Sequence, residues 1–262
     1  MFIIYLILGA LAGTMSGLLG IGGGMIVVPA LSAIFLQTQL MPSSSVMHMA
    51  IGTSLAVMVF TSLSGLYAHH RRMAVRWDVF KIVVPSLVIG TLLGALIANT
   101  LSSEYLRIFF GLFLFVMGLR MLLDKNKKEV GNGMSHWMMW AVSSLIGGLS
   151  SILGIGGGVM LVPFLLRCRV AMHQAPGTSL ACGMTIGIFA TVSFMLPALG
   201  GEQVAPWSTG YIYWPAFLWV AVASILFAPI GTALAHKLPT SLLKKIFAVM
   251  LLMVAGDMLF FA

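Results

Sequence analysis

The feature that most constrains the fold of this chain is a five-residue glycine-rich segment that occurs twice. Gly20-Ile21-Gly22-Gly23-Gly24 lies inside an uncharged apolar run, and the same letters return as Gly154-Ile155-Gly156-Gly157-Gly158. We call these segments the glycine pentads; a proline follows each at the same distance, as Pro29 and Pro163. Each glycine costs a helix roughly 1 kcal/mol relative to alanine, so neither pentad is expected to stay helical. In a bilayer, such a break persists only where protein buries it or where it lines a wet cavity.

The apolar composition around the pentads places the chain in a membrane. Hydrophobic residues make up 60% of it and charged residues 8%, and neither the first 70 residues nor residues 130–166 contain Asp, Glu, Lys or Arg. Such runs are far longer than the ~20 residues that cross a hydrocarbon core. The net charge of +8 comes from short loops between spans, which is typical of cytoplasmic loops and not of a nucleic-acid-binding face. We therefore expect a multi-pass protein with no soluble catalytic domain and no nucleic-acid partner.

The pattern predicts an all-α polytopic membrane protein, one integral membrane domain built from repeat 1 (1–130) and repeat 2 (131–262). Each repeat supplies a block that is broken at its pentad, followed by three transmembrane helices. The broken blocks cover 2–37 and 134–166, and the predicted spans are 46–68, 79–99, 105–122, 174–196, 212–235 and 243–261. A solvated linker is expected at 124–129 and a polar loop at 197–210. Each piece of a broken block is short for a crossing, so a re-entrant or short-helix hairpin is expected.

A second duplicated motif aligns the two repeats. His48-x-x-x-Gly52-Thr53-Ser54-Leu55-Ala56 matches His173-x-x-x-Gly177-Thr178-Ser179-Leu180-Ala181. Further matched pairs are Trp77 with Trp214 and Gly94 with Gly231. Gly9, Gly13 and Gly17 form a ladder of small residues that is predicted to pack against another helix.

The distribution of basic residues favours inverted-topology repeats. If each broken block enters and leaves on one side, each repeat has three net crossings, and both termini lie outside the cytoplasm. Every Lys and Arg except Arg107 then faces the cytoplasm, in loops 71–81, 120–128, 167–169 and 237–245. If each block instead crosses once, the repeats are parallel and further basic residues lie outside together with Arg107. These residues are Arg167, Arg169, Lys237, Lys244 and Lys245. The positive-inside rule favours the first arrangement.

Inverted repeats would bring the two breaks together near the midplane of the membrane. The second piece of each block begins just after its glycines, so two helix N-termini would point at one place. Each N-terminus carries about half a positive charge and unpaired N–H groups, which suits a small oxyanion. No acidic residue falls in the middle of a span to hold a cation. The alternative is that the pentads only allow tight helix packing at a kink.

The predicted substrate-binding residues come from the pentads and from the two His/Gly-Thr-Ser motifs. Positions i, i+4 and i+5 of a helix share a face, so histidine and hydroxyls would line the same cavity. Pro176 predicts a new helix start beside Thr178. The alternative is that Thr and Ser tie helices together while His caps a helix. The candidates are Gly20, Gly22, Gly23, Gly24, His48, Thr53, Ser54, Gly154, Gly156, Gly157, Gly158, His173, Thr178 and Ser179; no catalytic, cofactor-binding or metal-binding residue is expected.

The doubled pentad with its proline and the doubled His-x-x-x-Gly-Thr-Ser-Leu resemble the sulfite exporter TauE/SafE family over essentially the whole chain. The resemblance implies transport of small sulfur-containing anions, such as sulfite, sulfoacetate or taurine, across a bacterial inner membrane. It also implies that the pentads, Thr53, Ser54 and their partners in repeat 2 line the conduit. Ile51 stands where repeat 2 has Pro176, which leaves open whether both sides bind equally. The implied partners are the anion and the lipid bilayer, and a homodimer is compatible with the sequence.

Export is the expected direction, because a negative interior drives a monoanion outward by about 2.3 kcal/mol per 100 mV.

A second class of function is an intramembrane hydrolase, for which Ser16, Ser54 and His48 supply the types of nucleophile and base. The motif Gly-x-Ser-Gly is absent, however. A third class is a scaffold without a conduit, which leaves the Gly-Thr-Ser pairs unexplained. No lysine follows either pentad as in a phosphate-binding loop, so ATP drive is not indicated.

Overall fold

A computed structural model describes residues 2–19, 23–123, 134–200, 204–235 and 240–260, and this part of the chain is almost entirely helical. Five of its helices are long and apolar enough to cross a membrane: Ser43–His70, Trp77–Thr100, Ser103–Leu123, Ala175–Ala198 and Trp214–Leu234. The predicted all-α polytopic membrane architecture is confirmed. The linker predicted at 124–129 and the boundary between the repeats lie outside the described residues. The α-helices are α1 (Phe2–Leu19), α2 (Gly24–Thr38), α3 (Val46–His70), α4 (Trp77–Thr100), α5 (Ser103–Leu123), α6 (His136–Leu153), α7 (Gly158–Arg167), α8 (Ala175–Met195), α9 (Trp214–Ala235) and α10 (Thr240–Phe260).

Each glycine pentad separates a helix from a shorter one that follows it. Helices α2 and α7 begin at the last glycine of their pentads and have 15 and 10 residues, too short for a hydrocarbon core of about 30 Å. Gly23 and Gly157 precede these helices with φ of +74° and +64°. This left-handed conformation costs an L residue about 1–2 kcal/mol, so glycine is favoured there. The predicted break of each block into short helices is confirmed.

Glycines on the first helix of each repeat bring that helix close to the other repeat. Helix α1 packs on α9, and α6 packs on α4. A Cβ at Gly13 would meet the backbone of Ser224 in α9, which confirms the predicted packing role of the glycine ladder. The matched glycines behave alike, since Gly94 lies against Gly148 and Gly231 lies against Thr14. The two repeats are therefore interlocked by reciprocal contacts.

Two pairs of equivalent helices pack antiparallel. Gly65, late in α3, lies against Leu180, early in α8. A Cβ at Gly65 would lie 2.9 Å from Leu180 Cδ1. Gly187, late in α8, lies correspondingly against Leu55 in the first half of α3. A Cβ at Gly187 would lie 3.2 Å from the Leu55 carbonyl oxygen. In the same way Gly118, near the end of α5, contacts Leu252 of α10, while Gly111 contacts Leu259. Helix α3 therefore runs opposite to α8, and α5 runs opposite to α10.

The described part of the polar loop predicted at 197–210 contains secondary structure that the sequence does not indicate. A 3-10 helix covers Leu196–Gly200, and a two-stranded antiparallel hairpin pairs β1 (Ser208–Thr209) with β2 (Ile212–Tyr213). Gly210 between the strands has φ of +55°. Strands of two residues show no alternating pattern, so the sequence could not reveal them. The hairpin leads directly into α9.

Candidate functional site

The two broken segments meet. A Cβ at Gly24, the first residue of α2, would contact the carbonyl oxygen of Gly154 and would lie 3.0 Å from Ile155 Cα. The same position lies 3.2 Å from Ser54 Oγ of α3. Gly23, Gly24 and residues 154–158 are all buried, so the start of α2 lies directly on the second pentad inside the protein. Gly20 and Gly22 lie outside the described residues.

In the described part of the chain, the starts of α2 and α7 carry N–H groups that have no backbone acceptor. At α7, the N–H groups of Met160 and Leu161 donate to the Gly157 carbonyl at 2.9 and 2.6 Å. Within the described ranges, the N–H groups of Gly158 and Val159 have no such acceptor. Among the described residues, which omit 20–22, the N–H groups of Gly24 and Met25 at the start of α2 likewise have no backbone acceptor. No described side chain caps either helix. Each start therefore offers free donors at the positive end of its helix dipole.

The threonines of the two Gly-Thr-Ser motifs join one repeat to the other. Thr53 Oγ1 accepts a hydrogen bond from the Tyr213 N–H at 3.0 Å, and Thr178 Oγ1 accepts one from the Arg76 N–H at 2.9 Å. Tyr213 and Arg76 each immediately precede the tryptophan that begins α9 or α4. Each threonine therefore holds the entrance of a helix in the opposite repeat.

The glycines of these motifs allow the same close approach. A Cβ at Gly52 would contact the carbonyl oxygen of Tyr211, and one at Gly177 would contact the carbonyl oxygen of Ala74. Tyr211 and Ala74 occupy equivalent positions before their tryptophans. The Gly-Thr pair therefore has the same role in both repeats: the glycine allows the backbone before the tryptophan to approach closely, and the threonine accepts a hydrogen bond from that backbone.

Ser54 ties α3 to the second pentad, because its Oγ donates to the Gly154 carbonyl at 3.0 Å. Ser179, its partner in repeat 2, is fully buried. The hydroxyls of Thr53, Ser54 and Thr178 therefore all have protein partners. These contacts agree with the alternative that the hydroxyls tie helices together, and a role in substrate binding stays a prediction.

The two histidines have different surroundings. His48 is buried in α3, where its Nε2 lies 3.1 Å from the Ala98 carbonyl oxygen near the end of α4 and its ring packs on Tyr211. His173 is exposed in the turn before α8, which begins at Ala175. The predicted helix start near Pro176 is therefore confirmed. The shared helical face therefore applies to His48 and not to His173, which lies before the helix that carries Thr178.

Two serines near the pentads were not among the predicted substrate-binding residues, although Ser16 was named as a nucleophile type for the hydrolase alternative. Ser16 and Ser150 are fully buried, and neither hydroxyl has a hydrogen-bond partner in the part of the chain that the structure describes. Each lies four residues before the first glycine of its pentad. Ser150 Oγ lies 2.9 Å from the position of a Cβ at Gly157, directly before α7. The shared spacing Ser-x-x-x-Gly in both repeats is the sequence signal that could have identified them.

Comparison with known proteins gives matches over nearly the whole chain. The family model described as Sulfite exporter TauE/SafE matches residues 5–258. A probable membrane transporter protein of Haemophilus influenzae is 35% identical over 258 residues, which cover 97% of this chain and 96% of the relative. The probable membrane transporter protein YunE of Bacillus subtilis is 24% identical, covering 99% and 97% of the two chains. One of Methanocaldococcus jannaschii is 26% identical, covering 97% and 92%. No solved structure matches the chain significantly.

Proposed function

Because this chain belongs to the sulfite exporter TauE/SafE family of membrane transporters, we propose that it carries small sulfur-containing anions across the bacterial inner membrane. The family confirms the prediction of a transporter over that of an intramembrane hydrolase. The proposed substrates are sulfite and organosulfonates such as sulfoacetate or taurine. The proposed direction is export, which a negative interior favours for a monoanion without a coupling ion.

The observation that carries the proposal is the meeting of the two breaks. Gly24 at the start of α2 packs against Gly154 and Ile155 of the second pentad. Among the described residues, N–H groups without a backbone acceptor occur at the starts of both α2 and α7. Gly24, Gly157 and Gly158 are buried, so an anion could be bound there without a basic side chain. Helix N-termini of this kind bind anions through their N–H groups and their dipoles. We place the substrate between these two helix starts, near the membrane midplane.

We further propose that the two repeats are inserted in opposite orientations, with both termini outside the cytoplasm. The antiparallel packing of α3 on α8 and of α5 on α10 supports this arrangement. Repeats related by an axis along the membrane normal would run parallel to each other, whereas an axis in the membrane plane makes them antiparallel. The basic loops then gather on the cytoplasmic side, in agreement with the positive-inside rule.

The proposal predicts flux of sulfonates that responds to voltage according to the charge of the substrate. In proteoliposomes of the purified protein, methanesulfonate, a monoanion, should redistribute outward about 50-fold at 100 mV, inside negative, since 2.3 kcal/mol corresponds to that ratio. Taurine is a zwitterion without net charge at neutral pH, so its distribution should not respond to the potential. Radiolabelled sulfite, methanesulfonate and taurine would be measured with and without an imposed potassium-diffusion potential.

Protein-free vesicles provide the control for passive leakage. The proposal is contradicted if none of the labelled sulfur compounds moves faster in the protein-containing vesicles than in the control. If the distribution of methanesulfonate does not change with the potential but follows a pH gradient, uncoupled export is contradicted and proton-coupled transport is indicated.

A further inference from the structure

We infer that the hydroxyls of Ser16 and Ser150 are substrate ligands, one from each repeat, which donate hydrogen bonds to the oxygen atoms of the anion. This inference rests on the proposed function, since it names additional residues of the same oxyanion site. It assigns direct binding to two residues that carry no charge and lie outside the duplicated glycine and Gly-Thr-Ser motifs.

The first support is the contrast between these serines and their neighbours. Thr14 of α1 and Ser143 and Ser151 of α6 each donate to a carbonyl three or four residues earlier, at 2.7, 2.6 and 2.9 Å. Ser16 and Ser150 lie in the same helices and are fully buried, yet their hydroxyls have no partner among the described residues. A buried polar group without a partner is destabilising, so the same unfavourable feature at equivalent positions of both repeats points to a ligand.

The second support is the position of Ser150 relative to α7. Its Oγ lies 2.9 Å from where a Cβ of Gly157 would be, so the hydroxyl faces the residue that precedes the helix. The N–H groups of Gly158 and Val159, which have no backbone acceptor within the described ranges, belong to the same helix start. The hydroxyl and the two N–H groups give three donors, which suits a group with three oxygen atoms, such as sulfite or a sulfonate. A halide ion of the same charge has no separate oxygen atoms, so it would not require three donors in this arrangement.

A third unpartnered hydroxyl lies beside the second pentad. Ser62 of α3 is fully buried, and its Oγ has no partner within the described ranges. It lies 3.6 Å from the position of a Cβ at Gly183, and the carbonyl oxygen of Gly156 lies 2.9 Å from that same point. Repeat 2 has Gly187 at the position of Ser62. Ser62 therefore has no equivalent hydroxyl in repeat 2.

The test uses Ser16→Ala and Ser150→Ala in the full-length protein, with Ser143→Ala as the matched control. Ser143 is buried in the same helix as Ser150, but its hydroxyl is bonded to the Met139 carbonyl and to Ser86 Oγ at 2.6 Å in each case. The probes are radiolabelled sulfite and methanesulfonate in proteoliposomes, and the readouts are the KM of flux and the melting temperature. We expect KM to rise about tenfold in each of the two variants, because each loses a hydrogen bond to a charged group.

The melting temperature separates binding from a structural role. Ser16→Ala and Ser150→Ala should melt at or above the wild-type temperature, since no protein hydrogen bond is lost. Ser143→Ala should melt lower and keep the wild-type KM. An unchanged KM in both variants, or melting temperatures that fall as far as that of Ser143→Ala, would overturn the inference. A wild-type protein that moves neither probe would instead overturn the proposed function and the inference with it.

Discussion

Replacing Gly24 with alanine is expected to lower anion flux by about 10- to 100-fold while the protein still inserts into the membrane. The added Cβ would contact the Gly154 carbonyl oxygen and would lie 3.0 Å from Ile155 Cα. Both neighbours are backbone atoms, so they cannot turn away as a side chain would, and the two breaks must separate. Overpacking of this kind typically costs about 1–3 kcal/mol, which corresponds to that range of flux. Flux in proteoliposomes measures the effect, and gel filtration confirms that the protein is folded.

Gly256 supplies the matched control for this substitution. It lies in α10, and a Cβ there would meet nothing within 4 Å. Gly256→Ala should therefore transport at the wild-type rate and show that an added methyl group alone has no effect. Wild-type flux in Gly24→Ala would remove the contact between the two breaks from the mechanism.

Replacing Thr53 and Thr178 together with valine is expected to lower the free energy of unfolding by about 1–3 kcal/mol. Valine keeps the shape of threonine but cannot accept a hydrogen bond, so the N–H groups of Tyr213 and Arg76 lose their acceptors. Both hydrogen bonds are partly buried, and a typical hydrogen bond contributes about 0.5–1.5 kcal/mol to stability. Because both bonds run between the repeats, the double variant should melt well below the wild-type protein in detergent.

Serine at the same positions is the matched rescue. Thr53→Ser and Thr178→Ser retain the hydroxyl and should recover most of the melting temperature. The structural role is refuted if the valine variant melts like the wild type. In that case a raised KM would return these hydroxyls to the substrate-binding role that the sequence suggests.

Much of this architecture follows from the sequence because it depends on local chemistry that occurs twice. Four glycines in five residues cannot continue an apolar helix, so the break and the start of α2 and α7 could be located within a residue or two. The reciprocal packing of Gly94 and Gly231 follows from their matched positions. The distribution of Lys and Arg among the loops indicates that the two repeats are inserted in opposite orientations, and the antiparallel packing of α3 on α8 agrees with this prediction.

The partners of individual hydroxyls could not be predicted, because they depend on contacts distant in sequence. Nothing in the sequence near Thr53 indicates that its hydroxyl oxygen accepts a hydrogen bond from the N–H of Tyr213, at the end of a two-residue strand. His173 copies the spacing of His48, but the span predicted from residue 174 leaves it outside the helix, and α8 does begin only after it. Ser16 and Ser150 were overlooked as ligands because a serine in a small-residue helix ordinarily bonds to its own backbone. Their lack of partners is a property of the folded chain.

The account depends most on opposite insertion of the two repeats, and cysteine labelling tests this directly. Cys168 and Cys182 are first replaced by serine, although burial already raises the pKa of the Cys168 thiol to about 11 and slows its reaction. Single cysteines are then placed at Met73, Met172 and Tyr105, whose side chains are 83%, 57% and 67% exposed. Intact cells are treated with a membrane-impermeant maleimide, and a second sample is treated after permeabilisation.

We expect Tyr105→Cys to be labelled in intact cells, and Met73→Cys and Met172→Cys to be labelled only after permeabilisation. That result places the loop after α3 and the loop after α7 together on the cytoplasmic side, as opposite insertion of the repeats requires. If Met73→Cys and Met172→Cys are labelled from different sides, the repeats are parallel, and the shared anion site between α2 and α7 is contradicted.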